Sequence, residues 1–170
     1  EYNLYQIEKE LEKINNFPVN IKFILNDCLD SNYLGFIFES HNIQIVFHAA
    51  AYKHVPIVEN NAIQGIKNNV FSTLSICEAC FNKSIHKFLL VSSDKAVRPS
   101  NVMGASKRLS ELIVQAYAEK VKVEKLKICF SMVRFGNVLN SSGSVVPLFK
   151  EQILNGGPIT ITHPEVIRYF

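Results

Sequence analysis

The hydrophobic and polar positions of this chain follow two periods, and their alternation predicts an α/β fold. Apolar residues recur every three or four positions in four stretches, which predicts amphipathic helices at 4–14, 63–81, 109–117 and 145–154. Four short apolar runs are typical of buried strands, at 21–25, 44–47, 88–91 and 128–133. With a further helix between the first two strands, this order predicts a parallel sheet covered on both faces.

Composition narrows the class of protein. The chain has 170 residues, of which 48% are hydrophobic and 19% charged, so it is long enough for one domain with its own core. Its net charge of +3 comes from scattered basic residues, which does not favour a nucleic-acid partner. No apolar run approaches the ~20 residues of a membrane span, and no signal peptide is visible.

The cysteines do not indicate a metal or redox site. Cys77 and Cys80 form a CxxC, but there is no second CxxC and no histidine pair at ligand spacing. We therefore expect all four thiols to be small core residues in a reducing compartment: Cys28, Cys77, Cys80 and Cys129.

The candidate chemistry lies in the stretch SSDKAVRPSNVMGASK at 92–107. Asp94 and Lys95 directly follow a predicted strand, and Lys107 stands twelve residues after Lys95, near the start of a predicted helix. Ligands of open α/β sheets bind at the carboxyl ends of the strands, so these groups are expected to converge on a site. From spacing alone, an exposed Asp–Lys pair of little energetic value is an equal alternative.

Four segments resemble the extended short-chain dehydrogenase/reductase superfamily, and within it the UDP-N-acetylglucosamine 4,6-dehydratases of the polysaccharide biosynthesis (CapD-like) family. They are HAAAYKHVP at 48–56, SSDKAVRPSNVMGASKR at 92–108, RFGNVLNSSGSVVPLF at 134–149 and GGPITITHPEVIRYF at 156–170. The resemblance covers essentially the whole chain in order. Its large membrane-anchored members also have Met where the superfamily usually has Tyr.

The resemblance implies a Rossmann-like, doubly wound parallel sheet that binds NAD. Residues 1–170 are then expected to be a partial NAD-binding domain, in which 136–170 begin the sugar-nucleotide-binding part. The family places its first strand and glycine-rich loop ahead of these residues and continues after them. We therefore expect an internal piece of a longer protein, truncated at both ends and inactive alone.

The implied reaction is oxidation at sugar C4, elimination of water across C5–C6, and return of hydride to C6, which needs a base at C5 and an acid at the C6 hydroxyl. By resemblance, Asp94 is the acid, Lys95 the base, and Ser93 a hydrogen-bond partner of the C4 oxygen. Lys107 matches the lysine that holds the nicotinamide ribose. Met103 stands at the tyrosine position, so the C4 hydroxyl proton is left to Ser93, Asp94 or a relayed water.

On the cofactor side, the resemblance implies three small residues lying against NAD: Ala49, Ala50 and Ala51. Asp27 matches an acid that accepts a hydrogen bond from the adenine amine, although a turn aspartate is equally compatible with the sequence. Lys53 and His54 are expected within reach of a phosphate. Asn69 matches an asparagine that braces the strand ends beside the cofactor.

For the UDP-sugar substrate, the resemblance implies five binding residues: Asn137, Ser144, Val145, Pro147 and Arg168. The Arg168 guanidinium suits a diphosphate because its planar donors match phosphate geometry, and a surface arginine is the alternative. We also expect a homo-oligomer paired through the long helices and a cytoplasmic location. Any membrane anchor would lie outside these residues and hold the protein at the inner face of the bacterial membrane.

Two other functions stay open. A UDP-hexose 4-epimerase of the same superfamily would need no acid–base pair for elimination and usually keeps the tyrosine. A non-catalytic sugar-nucleotide-binding protein would account for the absence of a glycine-rich turn.

Overall fold

The computed structural model describes residues 1–14, 19–83, 85–139, 141, 144–161, 165 and 167. Its sheet has three parallel strands in the order β1 (Ile45–His48), β2 (Lys87–Ser93) and β3 (Cys129–Phe135). Its helices are α1 (Tyr2–Lys13), α2 (Ser31–Ser40), α3 (Val55–Asn60), α4 (Ala62–Ile66), α5 (Ser72–Asn82), α6 (Val102–Val123) and α7 (Val145–Leu154). The predicted α/β class and parallel sheet are confirmed.

The core lies on one face of the sheet, under α5 and α6. Phe88 and Leu90 of the central strand are fully buried there, and Cys77 and Val114 pack on them from the two helices. On the other face, Phe47 remains 69% exposed. The closely packed face carries the helix that forms one wall of the candidate site.

The predicted strand at 21–25 is wrong, because residues 19–27 have irregular backbone. Its apolar side chains also stay exposed: Ile21 is 44% accessible and Leu25 65%. A strand needs a neighbour to receive its backbone hydrogen bonds. Among the described residues, β1 pairs only with β2, so this run has no strand beside it.

The long helical period at 63–81 is confirmed with one change of pitch. Helices α4 and α5 are joined by a π-helical turn at Lys67–Phe71, which is a frequent feature of functional sites. Helix α6 begins at Val102, so Lys107 lies in its first turns, as the motif predicted. Asn101 caps the helix by accepting a hydrogen bond from the Gly104 amide at 2.8 Å.

The cysteines are only partly the core residues that were expected. Cys77 and Cys80 are buried, and burial raises the pKa of Cys80 to about 12, so both remain thiols. Cys28 is half-buried. Cys129 is exposed, which contradicts its predicted core position, because it begins β3 on the less covered face. No helix in the described part of the chain has the length and apolar character needed to cross a bilayer.

Candidate active site

Helix α6 lies directly against the short 3-10 turn Asp94–Ala96 that follows β2. Gly104 permits this contact, because a Cβ there would overlap the Lys95 carbonyl oxygen and come within 3.2 Å of the Pro99 side chain. Helix α3 also holds the start of α6, because the Glu59 carboxylate accepts a hydrogen bond from the Val102 amide at 2.9 Å. The first turn of α6 is therefore fixed against the turn that carries the candidate acid and base.

Lys107 is the most constrained of the candidate residues. Its side chain is buried, and Nζ donates a 2.8 Å hydrogen bond to the Val91 carbonyl oxygen at the end of β2. Burial lowers the pKa of Lys107, and the charge of Glu111 one turn later opposes that shift without cancelling it. The amine is therefore held in one place at the strand end.

Ser93, Asp94 and Lys95 form one hydrogen-bonded group. The Ser93 hydroxyl donates to Asp94 Oδ1 at 2.9 Å, and Lys95 Nζ donates to the same oxygen at 3.0 Å. The Asp94 side chain is 50% exposed and that of Lys95 38%. Burial raises the pKa of Asp94, but the hydrogen bonds from Lys95 and Ser93 outweigh it, so the net pKa is lowered. Asp94 is therefore a carboxylate at neutral pH.

A cavity of about 460 Å³ opens at the carboxyl ends of the three strands. Sequence-predicted residues from every strand end and from α6 line it: Ala49, Ala51, Lys53, Ser93, Lys95, Met103, Lys107, Asn137, Ser144 and Val145. Met103 is 4% exposed and lies one helical turn before Lys107. Residues far apart in the chain thus share one cleft, as the strand-end argument predicts.

The other predicted residues have different positions. Asp94 does not line the cavity, but its carboxylate contacts Lys95, which does. Ala50 lies between the lining residues Ala49 and Ala51, and Pro147 lies two residues after Val145 without lining the cavity itself. Asp27 is exposed and its Oδ1 accepts a hydrogen bond from the Leu29 amide, which is the turn arrangement considered above. Arg168 lies outside the described residues.

Asn69 is a brace and does not line the cavity. It is 1% exposed in the π-helical turn, where its side chain accepts from the Tyr52 amide at 2.7 Å and donates to the Tyr52 carbonyl at 3.0 Å. It also donates to Ser106 Oγ at 2.9 Å. One amide therefore ties the loop after β1 to α6, which sets two walls of the cavity.

Two buried groups near the site were not found by sequence reasoning. Glu111 is fully buried and accepts hydrogen bonds from Ser92, Arg108 and Arg134. Its position four residues after Lys107 was the available signal, because such residues share a helix face. His48 is 3% exposed and contacts Thr73 Oγ1 at 3.0 Å. The Thr73 hydroxyl donates to the Asn69 carbonyl, so His48 Nε2 carries the proton that reaches Thr73.

The start of α7 forms a further wall of the cavity. Ser144 is the residue before the helix, and its Oγ is buried without a hydrogen-bond partner among the described residues. Ser144 and Val145 both line the cavity. A helix N-terminus presents unpaired amides and a partial positive charge, which together favour an anion.

Comparison with known proteins identifies close relatives. The chain is 42% identical over all its 170 residues to the capsular polysaccharide biosynthesis protein CapD of Staphylococcus aureus, of which it covers 28%. It is 39% identical over 149 residues, 88% of the chain, to a UDP-glucose 4-epimerase of Rickettsia rickettsii, of which it covers 42%. The chain thus spans less than half the length of either relative.

Solved structures support the same fold. Pen from Bacillus thuringiensis superposes with a TM-score of 0.85 at 33% identity, covering 95% of this chain and 49% of that one. The dTDP-glucose 4,6-dehydratase DesIV from Streptomyces venezuelae, solved with NAD and TYD bound, gives 0.73 at 20% identity, covering 89% and 50%. The sequence model described as "Polysaccharide biosynthesis protein" matches residues 1–170. The chain therefore belongs to the polysaccharide biosynthesis protein family.

Proposed function

We propose that this chain is the NAD-binding part of a nucleotide-sugar 4,6-dehydratase, a lyase that acts on UDP-N-acetylglucosamine in polysaccharide biosynthesis. The observation that carries the proposal is the hydrogen-bonded group of Ser93, Asp94 and Lys95 at the mouth of a cavity that also holds a buried lysine, Lys107. Elimination of water across C5–C6 needs such an acid–base pair next to the group that carries out the C4 oxidation.

The residues of the cavity fit the nicotinamide end of NAD. Ala49 and Ala51 leave room at the end of β1, and the fixed amine of Lys107 is suited to donate to a ribose hydroxyl. DesIV, which shares the fold, was solved with NAD bound. When bound, NAD supplies hydride removal at C4 of the sugar and hydride return at C6. Asp27, at the end of the irregular segment, is proposed for the adenine amine through its second carboxylate oxygen.

The acid and base roles require a proton shift within the pair. In the resting site, Asp94 is a carboxylate and accepts from Lys95 Nζ at 3.0 Å. Lys95 becomes a base at C5, and Asp94 an acid at the C6 hydroxyl, once that shared proton moves along the hydrogen bond to Asp94. A bound sugar displaces water from the pair, which penalises its charged form and favours the neutral one. The C4 hydroxyl proton, released as hydride leaves C4, passes through Ser93 or a relayed water to solvent, and Ser93 then donates to the C4 carbonyl oxygen.

The substrate side of the proposal rests on the wall after β3. Asn137 and Val145 line the cavity, and the buried Ser144 hydroxyl is well placed to donate to an anionic oxygen. We propose that this wall receives the UDP diphosphate, with Pro147 shaping the first turn of α7. Arg168 and the alanine at 50 keep their proposed roles in diphosphate and cofactor binding.

A UDP-hexose 4-epimerase is the second candidate, favoured by the identity to the Rickettsia rickettsii protein. Epimerization exchanges a proton at the C4 hydroxyl and uses no acid–base pair at C5 and C6. Met103 has no proton to exchange at the tyrosine position, while the Asp94–Lys95 pair borders the cavity. These two observations favour the dehydratase.

Mass spectrometry of the reaction with UDP-N-acetylglucosamine separates the two. The complete gene product is incubated with this substrate, and we expect a product lighter by one water. An unchanged mass with an inverted configuration at C4 would establish the epimerase instead. If neither the mass nor the C4 configuration changes, the protein would be a non-catalytic sugar-nucleotide-binding protein. Lys95→Ala should abolish water loss while retaining bound NAD, and Lys67→Ala, an exposed lysine outside the cavity, is the matched control.

We also propose that a second copy of the chain covers the apolar surface of the long helices. Ile63 on α4 is 79% exposed, Phe71 51%, and Leu109 of α6 44%. Sedimentation of the complete protein tests this, and a monomer at micromolar concentration would exclude it.

A further inference from the structure

A buried carboxylate beneath the cavity joins the ends of two strands. Glu111 Oε1 accepts from Ser92 Oγ at 2.7 Å and from Arg134 Nε at 2.8 Å, and Oε2 accepts from Arg134 Nη2 at 2.7 Å. A fourth bond comes from Arg108 Nη1 at 2.9 Å. The Arg134 hydrogen bond is the main cause that lowers the pKa of Glu111 to about 2, so the group is ionised at every physiological pH.

The partners of Glu111 stand opposite each other in the sheet. Ser92 and Arg134 are register neighbours on β2 and β3, one residue before each strand ends. Ser92 itself and the next residue of each strand, Ser93 and Phe135, line the cavity, whereas Glu111 does not. One carboxylate on α6 therefore holds both strands at the point where they enter the site.

We propose that Glu111 is a positioning residue that fixes the ends of β2 and β3 against α6 and so sets the separation between Lys95 and the substrate wall that begins at Phe135. The inference rests on the proposed dehydratase and adds to it a residue outside the cavity. Lys107 anchors the same strand end through the Val91 carbonyl, so α6 holds β2 at two successive residues.

This network fixes the positions of the two strand ends more than it stabilises the fold. The buried Glu111 carboxylate loses its hydration, and this cost offsets much of what the ion pair with the 42% exposed Arg134 side chain contributes to stability. Its hydrogen bonds are directional, and the two-pronged contact with Arg134 admits only a narrow range of positions. The network therefore contributes little to the free energy of folding, but it fixes the spacing between the ends of β2 and β3.

Three variants of the complete protein separate positioning from stability. Ser92→Ala cuts the bond from Glu111 to β2 and keeps the contact with Arg134. Glu111→Gln keeps the side-chain shape and removes the charge that both arginines face. Arg108→Ala is the control, because Arg108 belongs to α6 itself and its bond ties the carboxylate only to its own helix.

Hydrogen–deuterium exchange and steady-state kinetics are measured for each variant. We expect Ser92→Ala and Glu111→Gln to speed exchange in peptides covering 93–97 and 135–139. In both variants kcat per NAD-loaded site should fall roughly 10- to 100-fold, because a displacement near 1 Å suffices, with KM for the UDP-sugar nearly unchanged. Arg108→Ala should change kcat less than about twofold, as expected for a partly exposed ion pair.

If the carboxylate acts by holding β2, the kcat of the double variant Ser92→Ala/Glu111→Gln should be no lower than the kcat of Glu111→Gln alone. Unchanged local exchange, or a kcat loss as large in Arg108→Ala, would overturn the inference while leaving the dehydratase standing. If the wild-type protein removes no water but the exchange pattern is as expected, the proposed function fails and the strand anchor remains.

Discussion

Gly104→Ala tests whether the contact between α6 and the Asp94–Ala96 turn determines activity. The added methyl would overlap the Lys95 carbonyl oxygen, and that oxygen is backbone, which cannot rotate away. Restoring ordinary van der Waals contact requires α6 to move by roughly 1 Å. Since Lys107 and Met103 are on the same helix, the shift moves one wall of the cavity relative to Lys95.

Two opposing free energies set the effect on stability. Alanine gains at most about 1 kcal/mol of helix propensity over glycine, while overpacking a tight contact costs about 1–3 kcal/mol. We expect a net destabilisation of about 1 kcal/mol in the free energy of unfolding. The catalytic effect should be larger, on the order of a 10²-fold loss in kcat for a displacement near 1 Å.

The assay compares Gly104→Ala with Gly65→Ala in the complete protein. A Cβ at Gly65 would come within 2.6 Å of Val58 Cγ1, which is also a clash in a helix but involves a side-chain methyl group and lies away from the Asp94–Ala96 turn. Both variants should lose thermal stability, but only Gly104→Ala should lose turnover per NAD-loaded site. A Gly104→Ala protein with kcat within about twofold of wild type would refute the argument that this contact positions the site.

The remaining predictions concern the groups that hold the cavity walls. Asn69→Ala leaves both backbone groups of Tyr52 without their partner and should destabilise the protein by about 1–3 kcal/mol in chemical denaturation, whereas Asn68→Ala, which removes one donor to Asn69, should cost less than 1 kcal/mol. Burial, with a smaller effect from the Lys107 charge, lowers the pKa of His48 from 6.5 to about 4. Between these two pH values, the imidazole is therefore protonated in the unfolded chain and neutral in the folded one. The free energy of unfolding should therefore fall by at most about 3 kcal/mol as pH drops from 6.5 to about 4, and His48→Gln, which keeps a donor for Thr73, should remove this slope. Ser144→Ala should raise KM for the UDP-sugar roughly 10- to 100-fold, the value of one hydrogen bond to a charged group, with kcat unchanged; an unaltered KM would remove Ser144 from the substrate wall.

Periodicity predicted the elements whose apolar faces are buried within the described chain. Strands β2 and β3 and helix α5 are examples, because their patterns report contacts that these residues make with one another. The run at 21–25 is similarly apolar but has no neighbouring strand among the described residues, so it does not form a strand. A sequence pattern reports a preference for burial and does not identify the surface that provides it.

The sequence predicted most residues that line the candidate site, but not the residues that hold the walls of the cavity in place. Lys95, Met103 and Lys107 were found because the motif at 92–107 lies between a strand end and a helix. The role of Glu111 depends on Arg134, 23 residues away, and no local pattern connects the two. Gly104 reads as an ordinary helix glycine until the Lys95 carbonyl is placed against it. Supports of this kind follow from three-dimensional contact between distant segments, which spacing alone does not encode.

In the proposed dehydratase, methionine at the superfamily's tyrosine position changes where the proton transfers would occur. A tyrosine at 103 would place an acidic hydroxyl on α6, one turn from Lys107, and the lysine would then stabilise its anion. With Met103 buried there instead, Lys107 has no phenolic partner and donates to the Val91 carbonyl. The only exchangeable proton that joins a carboxylate to an amine at this cavity, within the described residues, is the one between Asp94 and Lys95. In the proposed reaction, proton transfer therefore occurs at the strand end and not on the helix, so activity would depend on the position of that strand end. Three separate contacts, at Gly104, Lys107 and Glu111, hold α6 to the last residues of β2 and the turn that follows it, as this proposal requires.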